Sequence, residues 1–183
     1  MATTLTYIIP LKAVTDDSLG SIKGLSDLIM QRSMYLADHI GAQGTEVMEK
    51  IPITNDDYDF VFQNVFTGAT EIFTRLSAYS RELAAGVEGY EEEYTFTTAA
   101  AENVQPAVVL RFVLKTEQDS RFINYPLRRA LEAALVRFVL AEWLKLKGID
   151  QWQVEHIEFE KYLSDARHRL MMGETATIKH RTF

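Results

Sequence analysis

Two runs of carboxylates are the residues here whose types and spacing suggest chemistry: Asp56, Asp57 and Asp59 in ITNDDYDF, and Glu91, Glu92 and Glu93 in EEEYTFTT. A calcium loop of the EF-hand kind needs a Gly at its sixth position and a Glu at its twelfth, and the aspartate stretch has neither. Negative charge at a helix N-terminus accounts for the aspartates instead. Acid–base work on a sugar needs two carboxylates facing each other, whereas consecutive strand residues point to opposite faces. The glutamates therefore read as a solvated strand start and a docking surface for a basic partner. Of the four histidines, His156 and His168 lie twelve residues apart on one expected helix, which separates them by about 18 Å. Ligand pairs sit at i and i+4, so His39, His156, His168 and His180 read as solvated or singly hydrogen-bonded. Without Cys, disulfides, thiolate catalysis and Cys-ligated zinc are excluded. The phosphate-loop, dinucleotide, zinc-protease and hydrolase-elbow motifs are also missing, so no catalytic, metal or cofactor site is expected.

The element that would position everything else is the run NYPLRRALEAALVRFVLAEWLKLK, residues 124–147. Only Glu132, Arg137, Glu142 and Lys145 interrupt its apolar residues between Ala130 and Leu146, so it is expected to be a central helix covered on most sides. Asn124 suits the N-cap, Pro126 the first turn and Gly148 the left-handed stop. At 100° per residue Arg128, Glu132, Glu142 and Lys145 share one arc, and Arg137 projects alone from the apolar side. A buried Arg must be paired or lie at an interface; the alternative is that its stem runs along neighbours to water. Pairing with a carboxylate of a neighbouring helix or subunit is expected, in which case Arg137→Leu would impair assembly more than folding. Arg167 and Arg169, with Lys179 and Arg181 beyond, give the C-terminal part a positive excess, suited to a solvated helix end or to contact with DNA phosphates or an acidic partner.

Around this helix the chain reads as one mainly α domain of 183 residues, with four helices at about 21–40, 55–85, 124–147 and 150–172 forming a four-helix bundle-like body. Leu25, Ile29, Leu36 and Ile40 mark the first, with Gly41 and Gly44 beyond as stops. Thr54 and Asp57 form a capping-box pair for the second, whose face runs Val61, Val65, Gly68, Ile72, Leu76, Tyr79 and Leu83, with a bend expected at Gly68. The period then changes to two: Tyr94 and Phe96, then Val108, Leu110, Phe112 and Leu114, give an inserted β-hairpin at about 91–115. An isolated hairpin is marginal, so residues 4–9 (TLTYII) or a neighbouring subunit should supply a third strand. The last helix, capped by Asp150 with Gln153, carries Trp152, Phe159, Leu163, Ala166 and Leu170 and must fold back on the central one. Residues 1–10 and 173–183 read as extended N- and C-terminal arms.

A net charge of −7 argues against broad nucleic-acid binding, and neither a signal peptide nor a membrane span is expected.

The order of these elements is informative. The acidic lead-in and helix IPITNDDYDFVFQNVFTGATEIFTRLSAYSREL, the hairpin, the Pro-led INYPLRRALEAALVRFVLAEWLKLKG and a last helix ending ARHRLMM resemble the small helical head-to-tail connector (adaptor or neck) proteins of tailed bacteriophages over residues 51–172. That resemblance implies a structural virion protein, made in the host cytoplasm and without catalysis. It would form a homo-oligomeric ring between the portal protein and the adjacent neck or tail protein, surrounding passing DNA without sequence specificity. Arg137, Tyr94, Phe96 and Glu91 to Glu93 are then candidates for subunit contact, and Arg167, Arg169, Lys179 and Arg181 for DNA. A bacterial helical adaptor or regulatory module that binds one protein partner is the other function these features fit.

Overall fold

Leu5, Tyr7, Ile9 and Leu11 alternate along the N-terminal segment and are all buried, so the segment is a strand with one face in the core. The structure, a computed structural model, describes residues 3–13, 24–40, 49–90, 105–116 and 120–175. These form three strands, β1 (Thr3–Ala13), β2 (Ser80–Tyr90) and β3 (Gln105–Thr116), and four helices, α1 (Leu25–Ile40), α2 (Tyr58–Arg75), α3 (Ser120–Leu146) and α4 (Trp152–Thr175). The sheet is antiparallel with order β1-β3-β2. The N-terminal segment is thus the third strand the hairpin requires rather than a free arm. It runs past Pro10, which sits on an edge strand beside a register shift between Pro10 and Lys12.

The other hairpin strand departs from expectation. Helix was expected to residue 85, but α2 stops at Arg75 and Ser80–Tyr90 is β2. The stop is local: the Leu76 carbonyl accepts the Ser80 amide N–H at 2.9 Å, and the Ser80 hydroxyl lies 3.0 Å from both the Phe73 and Leu76 carbonyls. Glu82, Leu83, Ala84 and Ala85 favour helix locally, but β3 buries Leu110, Phe112 and Leu114 and takes a strand on each side. Sheet formation overrides propensity here. The expected first strand at 91–98 lies outside the described residues, as do Gly41 and Gly44.

Thr54 and Asp57 do pair: the Thr54 amide and hydroxyl both donate to Asp57 Oδ2 at 2.9 Å, and one 3-10 turn, Asn55–Asp57, leads into α2. The helix runs through Gly68 without a break, and the glycine there makes room for a neighbour: a Cβ would stand 2.7 Å from a Phe138 ring carbon.

Helix α3 is central as expected. Leu127, Leu131, Leu135, Val139, Leu140, Trp143 and Leu144 are buried, and α1, α2, α4 and β1 all pack on it. Its beginning differs, since it starts at Ser120 and takes Pro126 inside rather than in the first turn. One interior hydrogen bond is forgone there, because proline has no N–H. At the other end Gly148 adopts φ +69°, with Gly148 N–H to the Lys145 carbonyl at 3.1 Å and Ile149 N–H to the Leu144 carbonyl at 2.9 Å. These two bonds close the helix as a Schellman turn. The chain then reverses into α4, and Phe138 meets Phe159 at 5.3 Å between ring centroids, an antiparallel pairing. Among the described residues the Asp150 side chain makes no capping bond; helix α4 also continues past Gly173 to Thr175, shortening the expected C-terminal arm. No helix among the described residues is long and apolar enough to cross a membrane.

Candidate functional site

Helices α1 and α4 both pack on α3 and leave a furrow between them whose floor is α3. The period of α3 places Ala133, Val136 and Arg137 along that floor, while Leu28, Arg32 and Tyr35 of α1 form one wall and Val154, Glu158 and Tyr162 of α4 the other. Two hollows of about 480 and 450 Å³ make up the furrow and share Arg32, Tyr35 and Arg137. From Leu28 to Ile40 the α1 wall is about 18 Å long at 1.5 Å per residue.

The centre of the floor is an ion pair. Arg137 Nη1 donates to Glu155 Oε2 at 2.6 Å, with the side chains 15% and 3% exposed. Burial pulls the guanidinium pKa down, but the hydrogen bond and charge of Glu155 more than offset this, and it ends above the ordinary arginine value. The expected carboxylate on a neighbouring helix is therefore Glu155 of the same chain. This moves the expected effect of Arg137→Leu from assembly to folding, because the substitution strands a buried carboxylate.

At one end of the furrow Arg129 donates to the Tyr125 hydroxyl at 3.0 Å, and Arg128 and Arg129 hold Glu132 at 2.9 and 3.5 Å. The Tyr125 hydrogen bond, with Glu132 assisting, raises the pKa of Arg129. At the other end His39 and Gln151 complete the lining, and Glu158 is paired with Lys161 at 3.2 Å. Arg32 differs from these charges: among the described residues it makes no ion pair. The furrow thus combines apolar surface from Leu28, Ala133, Val136 and Val154, a neutralised floor and a surplus cation, which suits a segment carrying apolar side chains and a carboxylate.

Of the other residues singled out in the sequence, Arg167 is exposed on α4 and Arg169 holds Asp165 at 2.8 Å, so neither reaches the furrow. Glu91, Glu92, Glu93, Tyr94, Phe96, Lys179 and Arg181 lie outside the described residues. Asp57 serves the helix cap, while Asp56 and Asp59 are exposed. His156 lies 3.8 Å from Glu160 and His168 is exposed; among the described residues no group of three or more His, Asp or Glu is arranged to hold a metal ion.

Sequence reasoning missed Glu155, Arg32 and Tyr35. For Glu155 a signal existed. The apolar face of the last helix skips from Trp152 to Phe159, and Glu155 occupies the intervening helical position where an apolar residue belongs.

Compared with known protein families, curated proteins and solved structures, the chain matches none.

Proposed function

We propose that this protein is a non-enzymatic structural component of a tailed-phage neck, one copy of a ring that joins the portal to the next neck or tail protein around the DNA channel. The observation that carries this reading is the order of elements: a capped acidic lead-in to α2, a β-hairpin, then the long Pro- and Trp-containing α3 turned tightly into α4. The resemblance seen in the sequence rests on the same order, with Ser80 to Leu83 in β2 rather than in the preceding helix. The four helices serve as a bundle-like body, the β2–β3 hairpin as a contact arm, and Arg167 and Arg169, with Lys179 and Arg181 beyond, as cations for phosphates of passing DNA. Such a role needs no cofactor.

Electron microscopy of the full-length protein, alone and mixed with a portal protein from the same source, tests the reading. Closed rings stacked on the portal are expected. A protein that stays monomeric at every concentration and joins no portal particle overturns it.

The furrow favours one alternative, a helical adaptor that receives a segment of a host protein. Mass measurement on complexes recovered from cells separates the two, since an adaptor gives a one-to-one complex with a host protein where a neck protein gives a ring.

A further inference from the structure

We infer that the furrow between α1 and α4 is the socket of a head-to-tail contact between copies of this chain, and that it receives the acidic segment 91–104 at the tip of a neighbour's β2–β3 hairpin. The inference rests on the ring reading for its biological setting but on the furrow and the segment for its chemistry.

Segment 91–104, EEEYTFTTAAAENV, has Glu91, Glu92, Glu93 and Glu102 and not one Lys or Arg. Its apolar residues include Tyr94 and Phe96, two apart, which in an extended chain project from the same side. The furrow offers the complement. Its lining includes two exposed side chains with apolar surface, Tyr35 at 57% and Val154 at 46%, and its surplus charge is Arg32. Ala133 and Val136 offer apolar surface, and Arg32 a cation, to a segment of that composition.

Length agrees as well. The last described pair of the hairpin is Tyr90 with Gln105, which leaves fourteen residues to go out and return. Seven residues extended at about 3.3 Å each reach about 23 Å, enough to lie along a furrow of about 18 Å.

The occupant is assigned to a second copy because β2 packs chiefly on β3 and α2 rather than on α1 or α4, the walls of the furrow. Ala85, Gly86 and Val87 are all exposed, Val87 at 65%. Tip and socket are different surfaces, so the contact is heterologous and closes into a ring or extends as a filament. Charge also matters, since two chains of net charge −7 repel unless the contact sets carboxylate against cation.

Absence of cysteine makes the test direct. One preparation of the full chain carries Tyr35→Cys and another Tyr94→Cys; they are mixed and treated with a short bismaleimide. A heterodimer bridged between positions 35 and 94 is expected at least tenfold faster than either homodimer. Arg32→Glu in the first preparation should slow it at least tenfold, and Glu91→Lys with Glu92→Lys in the second should restore it. Circular dichroism of each variant confirms folding. A heterodimer that forms no faster than the homodimers overturns the inference, and so does no cross-linking. Mass photometry of the unmodified protein separates the two claims: rings without this cross-link sink the socket and leave the ring reading, while a persistent monomer sinks both.

Discussion

Tyr7 has a phenol where the alternation of β1 calls for an aliphatic side chain. It is 2% exposed, and among the described residues its hydroxyl has no hydrogen-bond partner. A buried hydroxyl without a partner costs about 1–3 kcal/mol. Burial also lifts its pKa well above the value of 10 for a free phenol. The unfolded chain therefore loses this proton first as pH rises: the contribution of Tyr7 to stability is fully present below about pH 10 and declines above it. Tyr7→Phe should leave the protein as stable at pH 7, or more stable by up to about 1 kcal/mol. It should also remove an alkaline loss of up to about 1.4 kcal/mol per pH unit. Denaturant unfolding of both proteins at pH 7 and pH 11 checks this; a strongly destabilised Phe variant at pH 7 would reveal a partner for the hydroxyl.

Among elements, the coupling of α3 to α4 through Arg137 and Glu155 sets the energetic expectation. Removing one member of a buried pair costs about 3–5 kcal/mol, and the slight exposure of Arg137 places Arg137→Leu near the low end, roughly 3 kcal/mol. The double variant Arg137→Leu, Glu155→Leu should recover most of that loss, because no charge is then left unpaired. Urea unfolding of the single and double variants decides it, and a double variant as weak as the single one would rule the account out. How legible the elements were in sequence follows from where their determinants sit. Thr54 with Asp57, and Gly148, act within a few residues of where they stand, so the start of α2 and the end of α3 could be read directly. Strand β2 could not, because Glu82 to Ala85 favour helix and only the buried face of β3 makes them a strand. Arg137 announced a partner by standing on an apolar face, and Glu155 stood in the same way between Trp152 and Phe159, a signal that went unread. Arg32 and Tyr35 matter only through the position of α1 beside α4, which no local pattern encodes.

For the molecule as a whole, the decisive fact is that the chain's first strand is part of its core. Leu5, Ile9 and Leu11 each contribute roughly 1.5–3 kcal/mol, together a large share of the whole stability of a typical domain. Deleting residues 1–13 should abolish the cooperative thermal transition and near-ultraviolet circular dichroism. A truncated chain that melts like the full one would mean that the segment is a dispensable arm. The third strand was foreseeable from TLTYII and from the need of a hairpin for support, yet which of the two hairpin strands it joins was not, because pairing across the chain leaves no local mark. Thr4 pairs with Lys115, more than a hundred residues downstream. During synthesis at about 5–20 residues per second, the first strand therefore waits on the order of ten seconds before its partner has been made. Throughout that interval TLTYIIPL is an apolar strand with no sheet to join, so nascent chains should depend on chaperones and refolding should slow with protein concentration.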